Sequence, residues 1–569
     1  MTVSRRTFVQ AMGLALLTPF TVRSLAASNS ETYARFNLSG SPSGYDIDQD
    51  GLIFDLSVAS GDPSQTGVVL WTHINPAAFV PGQILYVDVA LDESFTQPVL
   101  SAEINAEDIS ADRDYTVNID LEGYLSPNQR YYYRFKYGAL CSRTGRCHTL
   151  PTGGLESIKM AVVTCQDYTT GYYNAYSHLA DEDVHCVLHL GDFIYEYAQY
   201  EGFEDAIVHP MSLPSGGNVA MDLEDYRHIY REYRKDKNLQ RAMEMHSFII
   251  TWDDHETADN AYWDYDRDTL GVPSHPYQTG ANNPDQLRQL RRDAQQAWIE
   301  YVPARVKVDE AASHAFDYLQ IYRSFQFGDL VDLYMTDSRT YRTKEPCKDG
   351  SAWENYWCTD YEEKSQTMLG KTQRDWLIDG IVNSNARWKV WGNQTLLAQL
   401  AGTALGRPLV FANYDAWDGY QWEREKILSS VKDNSVDNFV VLTGDLHTSI
   451  ASYLKVNFNK ISNWDYDNLV GIELMTPSIS SPNLNDTVER GVDVGSVFTS
   501  LLNGGVQVNN PHIKDFVSNI YGYAVIEFNH SELNWTVYDI DKKSDNPSTN
   551  KKTYKTFNYE PEGMWLTEK

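Results

Sequence analysis

Two textures of hydrophobic and polar positions divide the chain. From Phe54 to about Leu150, short β-type runs alternate with turn residues: Gly67-Val-Val-Leu-Trp-Thr72, Ile84-Leu-Tyr-Val-Asp-Val-Ala90, Tyr115-Thr-Val-Asn-Ile119 and Tyr131-Tyr-Tyr-Arg-Phe135. Short strands at this spacing predict a small β-sandwich. After Pro151-Thr-Gly-Gly154 the runs become apolar throughout: Lys159 to Thr164, Val184 to Leu190, Ser247 to Trp252, Leu330 to Met335, Trp388 to Trp391 and Phe439 to Thr443. Helical stretches such as Leu223 to Met245 and Asp285 to Tyr301 separate several of them. Buried strands interleaved with helices predict an α/β layered domain whose ligands sit at the carboxyl strand ends. Tyr523 to Phe528 and Leu533 to Tyr538, around Asn529-His-Ser-Glu, predict a hairpin. The expected divisions are 1–27, a polar mobile leader over 28–50, a sandwich over 51–150, a catalytic domain over 151–541 and a mobile Lys/Asn/Ser-rich carboxyl segment over 542–569.

What ends these runs carries the chemistry. Leu188-His-Leu-Gly-Asp-Phe-Ile-Tyr195 delivers Asp192 and Tyr195 to one rim. Cys165 follows the first run, Asp253-Asp254-His255-Glu256 the third, Gly392-Asn393-Gln394 the fifth and Gly444-Asp445-Leu446-His447 the sixth. Each cluster alone reads as an ordinary polar turn. Independent loops, however, have no structural reason to set Cys, Asp, Tyr, His and Asn at one edge of a sheet. Thiolate, phenolate and carboxylate suit a trivalent cation, with a nitrogen from His447, while Asp254, Asn393 and Asp445 suit a hard divalent ion. With Asp192 bridging, the set predicts a two-metal hydrolase that acidifies a water and clamps both oxygens of an in-line phosphoryl displacement. His185 and His189 lie within a buried-strand pattern and read as core or supporting groups. The abundance of Trp and Tyr reads as packing.

The chain has 569 residues, 42% of them hydrophobic, enough for a large core, and a formal net charge of −31. Binding nucleic acid requires a basic footprint, so it is excluded as a structural partner. The same field repels an anionic substrate, and a phosphate site here needs local cations.

Ser4-Arg5-Arg6-Thr7-Phe8-Val9, the apolar run Ala11 to Phe20 and the small residues Ser24-Leu-Ala-Ala27 have the layout of a twin-arginine export signal. The run is too short to span a membrane. The expected partners are the twin-arginine machinery and a phosphate ester, with no stable membrane insertion, a monomeric state, and a periplasmic or extracellular location. In an exported chain, local disulfides are expected between Cys141 and Cys147 and between Cys347 and Cys358, with Cys186 a core thiol.

The motifs also carry a resemblance. Ser57-Val-Ala-Ser-Gly-Asp-Pro63, Val68-Val-Leu-Trp71, Leu125 to Phe135, Thr251-Trp-Asp-Asp-His-Glu256, Thr336-Asp-Ser-Arg339, Gly392-Asn-Gln394, Thr476 to Pro482 and Asn510-Pro-His-Ile-Lys514 resemble the PhoD family of alkaline phosphatases. That family lies within the calcineurin-like metallophosphoesterases. The resemblance implies a fibronectin-like amino-terminal sandwich, a catalytic two-sheet sandwich flanked by helices, and an Fe(III) and Ca(II) centre. It makes Cys165, Asp192, Tyr195, Asp254, Asn393, Asp445 and His447 metal ligands. It makes His255 the contact to the phosphate or leaving oxygen, and gives Asn260 and Arg339 to the substrate and Asp337 to a further calcium. Asp259 departs from the pattern, standing where a second asparagine is expected. The implied activity is hydrolysis of phosphomonoesters and diesters. The alternatives are a phosphodiesterase or phospholipase D-like enzyme and, more remotely, a non-catalytic binding protein with a structural metal site.

Overall fold

The computed structural model describes residues 32–40, 42–279, 283–347, 358–404, 407–411, 413–458, 468–486, 504–561 and 565–569, so the predicted export signal 1–27 lies outside the described residues. Two sheets face each other. The first has ten strands in the order Trp565–Glu568, Lys552–Glu560, Leu533–Asp539, Ala524–Asn529, Ser157–Val163, Cys186–His189, Ser247–Ile250, Val58–Gly61, Val69–His73 and Thr116–Asp120. Its centre is parallel, from Ser157–Val163 through Cys186–His189 and Ser247–Ile250 to Val58–Gly61. The second has seven strands in the order Arg323–Phe327, Val331–Met335, Trp388–Gly392, Phe439–Thr443, Leu469–Met475, Ser449–Lys455 and Ile513–Val517. Here too the middle strands are parallel.

The apolar runs follow from burial on both faces. Met160, Val162, Leu188 and Ile249 point between the sheets and pack with Leu333, Val390, Val440 and Ile472. Their neighbours Ala161, Val163, Val187, Phe248 and Ile250 point outward, onto Ile229 and Tyr233 of the helix Leu223–Arg234 and Trp298 of the helix Pro284–Tyr301. On the second sheet Tyr334, Trp391 and Val441 meet Leu377 of Gly370–Asn383 and Ile427 of Gln421–Asp433. A strand alternates faces at every residue, so covering both faces removes the polar half of the pattern.

The expected helix from Leu223 to Met245 is two helices. Asp236 accepts hydrogen bonds from the amides of Asn238 and Leu239 and so caps a new helix, Lys237–Met245. The amino-terminal sandwich pairs Leu85–Ala90, Pro98–Ile104 and Arg130–Tyr137 in one sheet. Its other sheet is the edge of the ten-stranded one, through Val58–Gly61, Val69–His73 and Thr116–Asp120, with Leu70, Val87, Val117 and Phe135 packed between. The fold is therefore a two-sheet α/β sandwich flanked by helices, with an all-β unit continuous with one of its sheets.

Three expectations are corrected. In the leader 28–50, Phe36–Leu38 pairs with Pro98–Ile104 and Asp46–Ile47 with Leu140–Cys141. In the carboxyl segment, Lys552–Glu560 and Trp565–Glu568 extend the ten-stranded sheet, because Phe557 and Leu566 join its core. Cys347 and Cys358 are bonded, but Cys141 and Cys147 are free and buried. Both lie along Arg130–Tyr137, Cys141 opposite Lys136 and Cys147 opposite Tyr131. Five residues of strand separate their Cα atoms by about 17 Å, beyond the reach of a disulfide. Among the described residues no helix is long and apolar enough to cross a membrane.

Candidate metal centre

Loops leaving the parallel strands of both sheets meet at one edge. Cys165, Asp192, Asp445 and His447 all have positive φ, at 53°, 57°, 67° and 51°. Each costs of order 1 kcal/mol, a strain that persists only where the surroundings over-determine it. Gly191, at φ 112°, shows how close the loops run, since a Cβ there would stand 2.6 Å from Asp253 Cβ and 2.7 Å from Asp253 N. Only glycine admits that contact. Glu256 ties the same two loops, accepting from Phe193 N at 2.7 Å, Asp253 N at 2.8 Å and Asp192 N at 3.1 Å.

Two sets of ligand atoms share Asp192. In Cys165, Asp192 and His447 they lie within 4.8 Å of one another, and the same holds for Asp192, Asp254 and His255. Tyr195 joins the first set, its phenol 3.1 Å from both Asp192 Oδ2 and His447 Nε2 and accepting from Ser481 Oγ at 2.6 Å. His447 Nδ1 lies 2.6 Å from Pro482 O, which leaves Nε2 facing the set with its lone pair. Asn393 donates to Thr395 O at 2.6 Å, and its Oδ1 faces the Trp417 indole at 3.3 Å.

The centre is deficient in positive charge. Burial, and then Asp253, Asp254 and Glu256 against the opposing pull of His255, push the Asp192 carboxyl well above the usual range. Burial, then Asp253, pushes up Asp445 as well. Burial also raises the Cys165 thiol and the Tyr195 phenol and holds His447 down at about 4. Among the described residues, Asp192 Oδ1 and Asp445 Oδ2 are buried without a hydrogen-bond partner. Such atoms cost a few kcal/mol unless something completes them, and a cation fits acceptor-only oxygens. The two groups that share Asp192 have the donor chemistry to hold metal ions.

His255 has a different setting. Its Nδ1 is 2.7 Å from Glu196 Oε2, and its ring lies 4.2 Å from that of Tyr195. Burial opposes its charge, but Glu196, Asp254 and Asp192 outweigh it and hold the imidazole well above its ordinary value. Asn260 follows on the same loop, its amide donating to Asp259 Oδ1 at 2.9 Å and its main chain to Asp254 Oδ2 at 2.8 Å.

Two further expected residues are engaged by partners within the protein. Arg339 is fully buried beneath the acids, paired with Asp253 and with Asp415 at 2.8 Å, and 3.4 and 3.5 Å from Asp254 and Asp445. Its guanidinium is consumed by carboxylates instead of standing at an opening. Asp337 Oδ1 accepts from the Trp252 indole at 2.8 Å and from the amides of Arg339 and Thr340, shaping the turn that carries Arg339, while its Oδ2 is buried without a hydrogen-bond partner among the described residues. His189 is a buried support, 3.2 Å from Gln166 Oε1. Sequence reasoning missed Glu196 and Asp415, and quoted Glu256, and Ser481 within Thr476 to Pro482, without a role. Adjacency to Tyr195 was the one available signal for Glu196; Asp415 had none.

The chain is similar to known proteins. A family model described as PhoD-like phosphatase matches residues 160–537, and one described as PhoD-like phosphatase, N-terminal domain, matches residues 41–151. Alkaline phosphatase D of Bacillus subtilis (strain 168) is 32% identical over 541 residues, covering 92% of this chain and 82% of that protein. A solved structure titled "Structure of PhoD" is similar with a TM-score of 0.76 at 28% identity, covering 93% of each chain. Through a family match over most of its length, reinforced by that relative, the chain belongs to the PhoD-like phosphatase family and is a phosphoric ester hydrolase.

Proposed function

We propose that this protein is an exported, metal-dependent phosphatase acting on phosphomonoesters and also on diesters, with Fe(III) held by Cys165, Asp192, Tyr195 and His447 and Ca(II) by Asp192, Asp254, Asn393 and Asp445. The observation that carries this reading is Asp192, shared by the Cys165–His447 group and the Asp254–His255 group, with Oδ1 buried and unpartnered. The first group offers soft and anionic donors; on the other side Asp254, and Asn393 and Asp445 as proposed ligands, offer oxygens, a division that favours a trivalent and a hard divalent ion. When bound, such a pair supplies an acidified water and charge neutralisation for the phosphoryl oxygens.

The chain's own groups do the rest. With Nδ1 engaged by Glu196, His255 has Nε2 left to give its proton to the leaving oxygen as the P–O bond breaks. Asn260, half-buried on the same loop, gives one amide hydrogen to Asp259 and has a second to offer a phosphoryl oxygen. Arg339 holds Asp253, Asp254, Asp415 and Asp445 together against their mutual repulsion. The export reading rests on Arg5-Arg6 and the small residues before Ala27, which support a periplasmic or extracellular location. The test is metal analysis of protein purified from the exported fraction, together with turnover of an aryl phosphate and its bis-aryl diester. Iron and calcium with turnover of both esters is the expected result. Zinc alone, or full activity in metal-free protein, would overturn the metal assignment; retention of residues 1–27 in the cytoplasm would overturn export.

A further inference from the structure

A glutamate stands where the strand pattern calls for an apolar residue. Glu473 lies in Leu469–Met475, between Ile472 and Leu474 of the core, and is fully buried. Among the described residues it has no ion pair within 4 Å; its partners are hydrogen-bond donors from one loop and one strand end. Oε1 accepts from Leu397 N at 2.8 Å and from Thr443 Oγ1 at 3.0 Å, and Oε2 accepts from Ala398 N at 2.7 Å. Leu397 and Ala398 belong to the loop that begins at Asn393, and Thr443 ends the strand that leads into Asp445. The two loops also touch directly, Gly444 N donating to Gln394 O at 2.8 Å. Gly444 allows no side chain here, because a Cβ would stand 2.4 Å from Thr164 Oγ1.

A buried carboxylate without a cationic partner is costly, and an apolar residue of similar volume would serve the core better. What the carboxylate supplies is four lone-pair sites, enough to accept from three donors at once. From these contacts we infer that Glu473 is a positioning residue for the divalent cation, fixing the loop of Asn393 against the loop of Asp445. The inference rests on the proposed role of Asn393 and Asp445 as ligands. Glu473 touches neither cation nor substrate and acts through the spacing of the two ligands.

The test is calcium binding by whole protein stripped with EGTA, read as the rise in Tm on adding calcium chloride, together with the visible spectrum of the protein as isolated. Glu473→Gln keeps the shape but turns an amide N–H toward amide donors. Its calcium midpoint should move up about 10-fold or more, as for other groups that orient metal ligands, with the visible band unchanged. Thr443→Val deletes one of the three bonds in an isosteric side chain, and should move the midpoint in the same direction by a smaller factor if Glu473→Gln fails to fold. A lower Tm at every calcium concentration with an unchanged midpoint would make Glu473 a structural residue only and overturn the inference. Wild-type protein that shows no calcium response would instead overturn the two-cation reading on which it rests.

Discussion

Glu196 Oε2 lies 2.7 Å from Nδ1 of His255, in a part of the site where both side chains are largely withdrawn from water. The contact fixes the imidazole ring and favours its protonated form, which turns a group exposed to burial's opposing pull into a proton donor. Glu196 also accepts from Asp259 N at 2.7 Å, so it ties His255 to the loop that follows it.

Glu196→Gln removes the charge that favours imidazolium. The proton on His255 is then lost at lower pH, so the fall of kcat on the alkaline side should begin earlier than in wild type. At the optimum kcat should drop about 10-fold or more. A pH–rate profile with an unmoved alkaline limb would separate Glu196 from the proton transfer.

His255→Ala should lower kcat by about 100-fold or more while iron content is retained. Metal analysis beside steady-state kinetics checks both parts. Loss of iron would make His255 a ligand, and unchanged kcat would remove it from the mechanism.

Chelation should act on stability as well as activity. EGTA should abolish turnover and lower Tm, and calcium should restore both, because the carboxylates gathered around Asp192 and Asp445 lose their countercharge. Undiminished activity in a stripped sample contradicts the scheme.

Phenolate and thiolate bound to Fe(III) absorb visible light through charge transfer. Tyr195→Phe keeps the ring beside His255 and removes the oxygen; Cys165→Ser exchanges the soft donor for a hard one. Both should shift or weaken the band and reduce activity, with thermal unfolding in calcium nearly unchanged. An identical spectrum for Tyr195→Phe would make that residue a packing tyrosine.

Acid should destabilise the fold through its buried histidines. His246 ends the helix Lys237–Met245 with Nε2 2.9 Å from Leu179 O, and burial holds its imidazole down at about 4 against an ordinary value of 6.5. The unfolded chain takes up a proton that the folded one refuses. This share of stability, about 3 kcal/mol, is complete above about pH 6.5 and is lost as the pH falls toward 4. His246→Gln keeps a donor for Leu179 O and should flatten the decline of Tm between about pH 7 and pH 5. Curves that stay parallel to wild type would show that His246 titrates as it does in the unfolded chain.

Read alone, the amino-acid sequence determined the alternation of strand types, the two textures on either side of residue 150, and the appearance of Cys165, Asp192, Asp254, Asn393, Asp445 and His447 after apolar runs. Those features are local: burial on both faces of a strand produces a continuous apolar run, and a ligand at a strand end follows its run directly. What only the tertiary structure decided depends on residues far apart in sequence. Arg339 meets Asp415 across 76 positions, Ser481 meets Tyr195 across 286, and Glu473 binds loops on two neighbouring strands. The carboxyl segment was misjudged for the same reason, since its Lys/Asn/Ser-rich start hides two strands that find partners only at the edge of a sheet assembled elsewhere. Periodicity reports how one element is buried, whereas the charge balance of a buried site is set by whichever side chains the assembled sheets bring within a few ångströms.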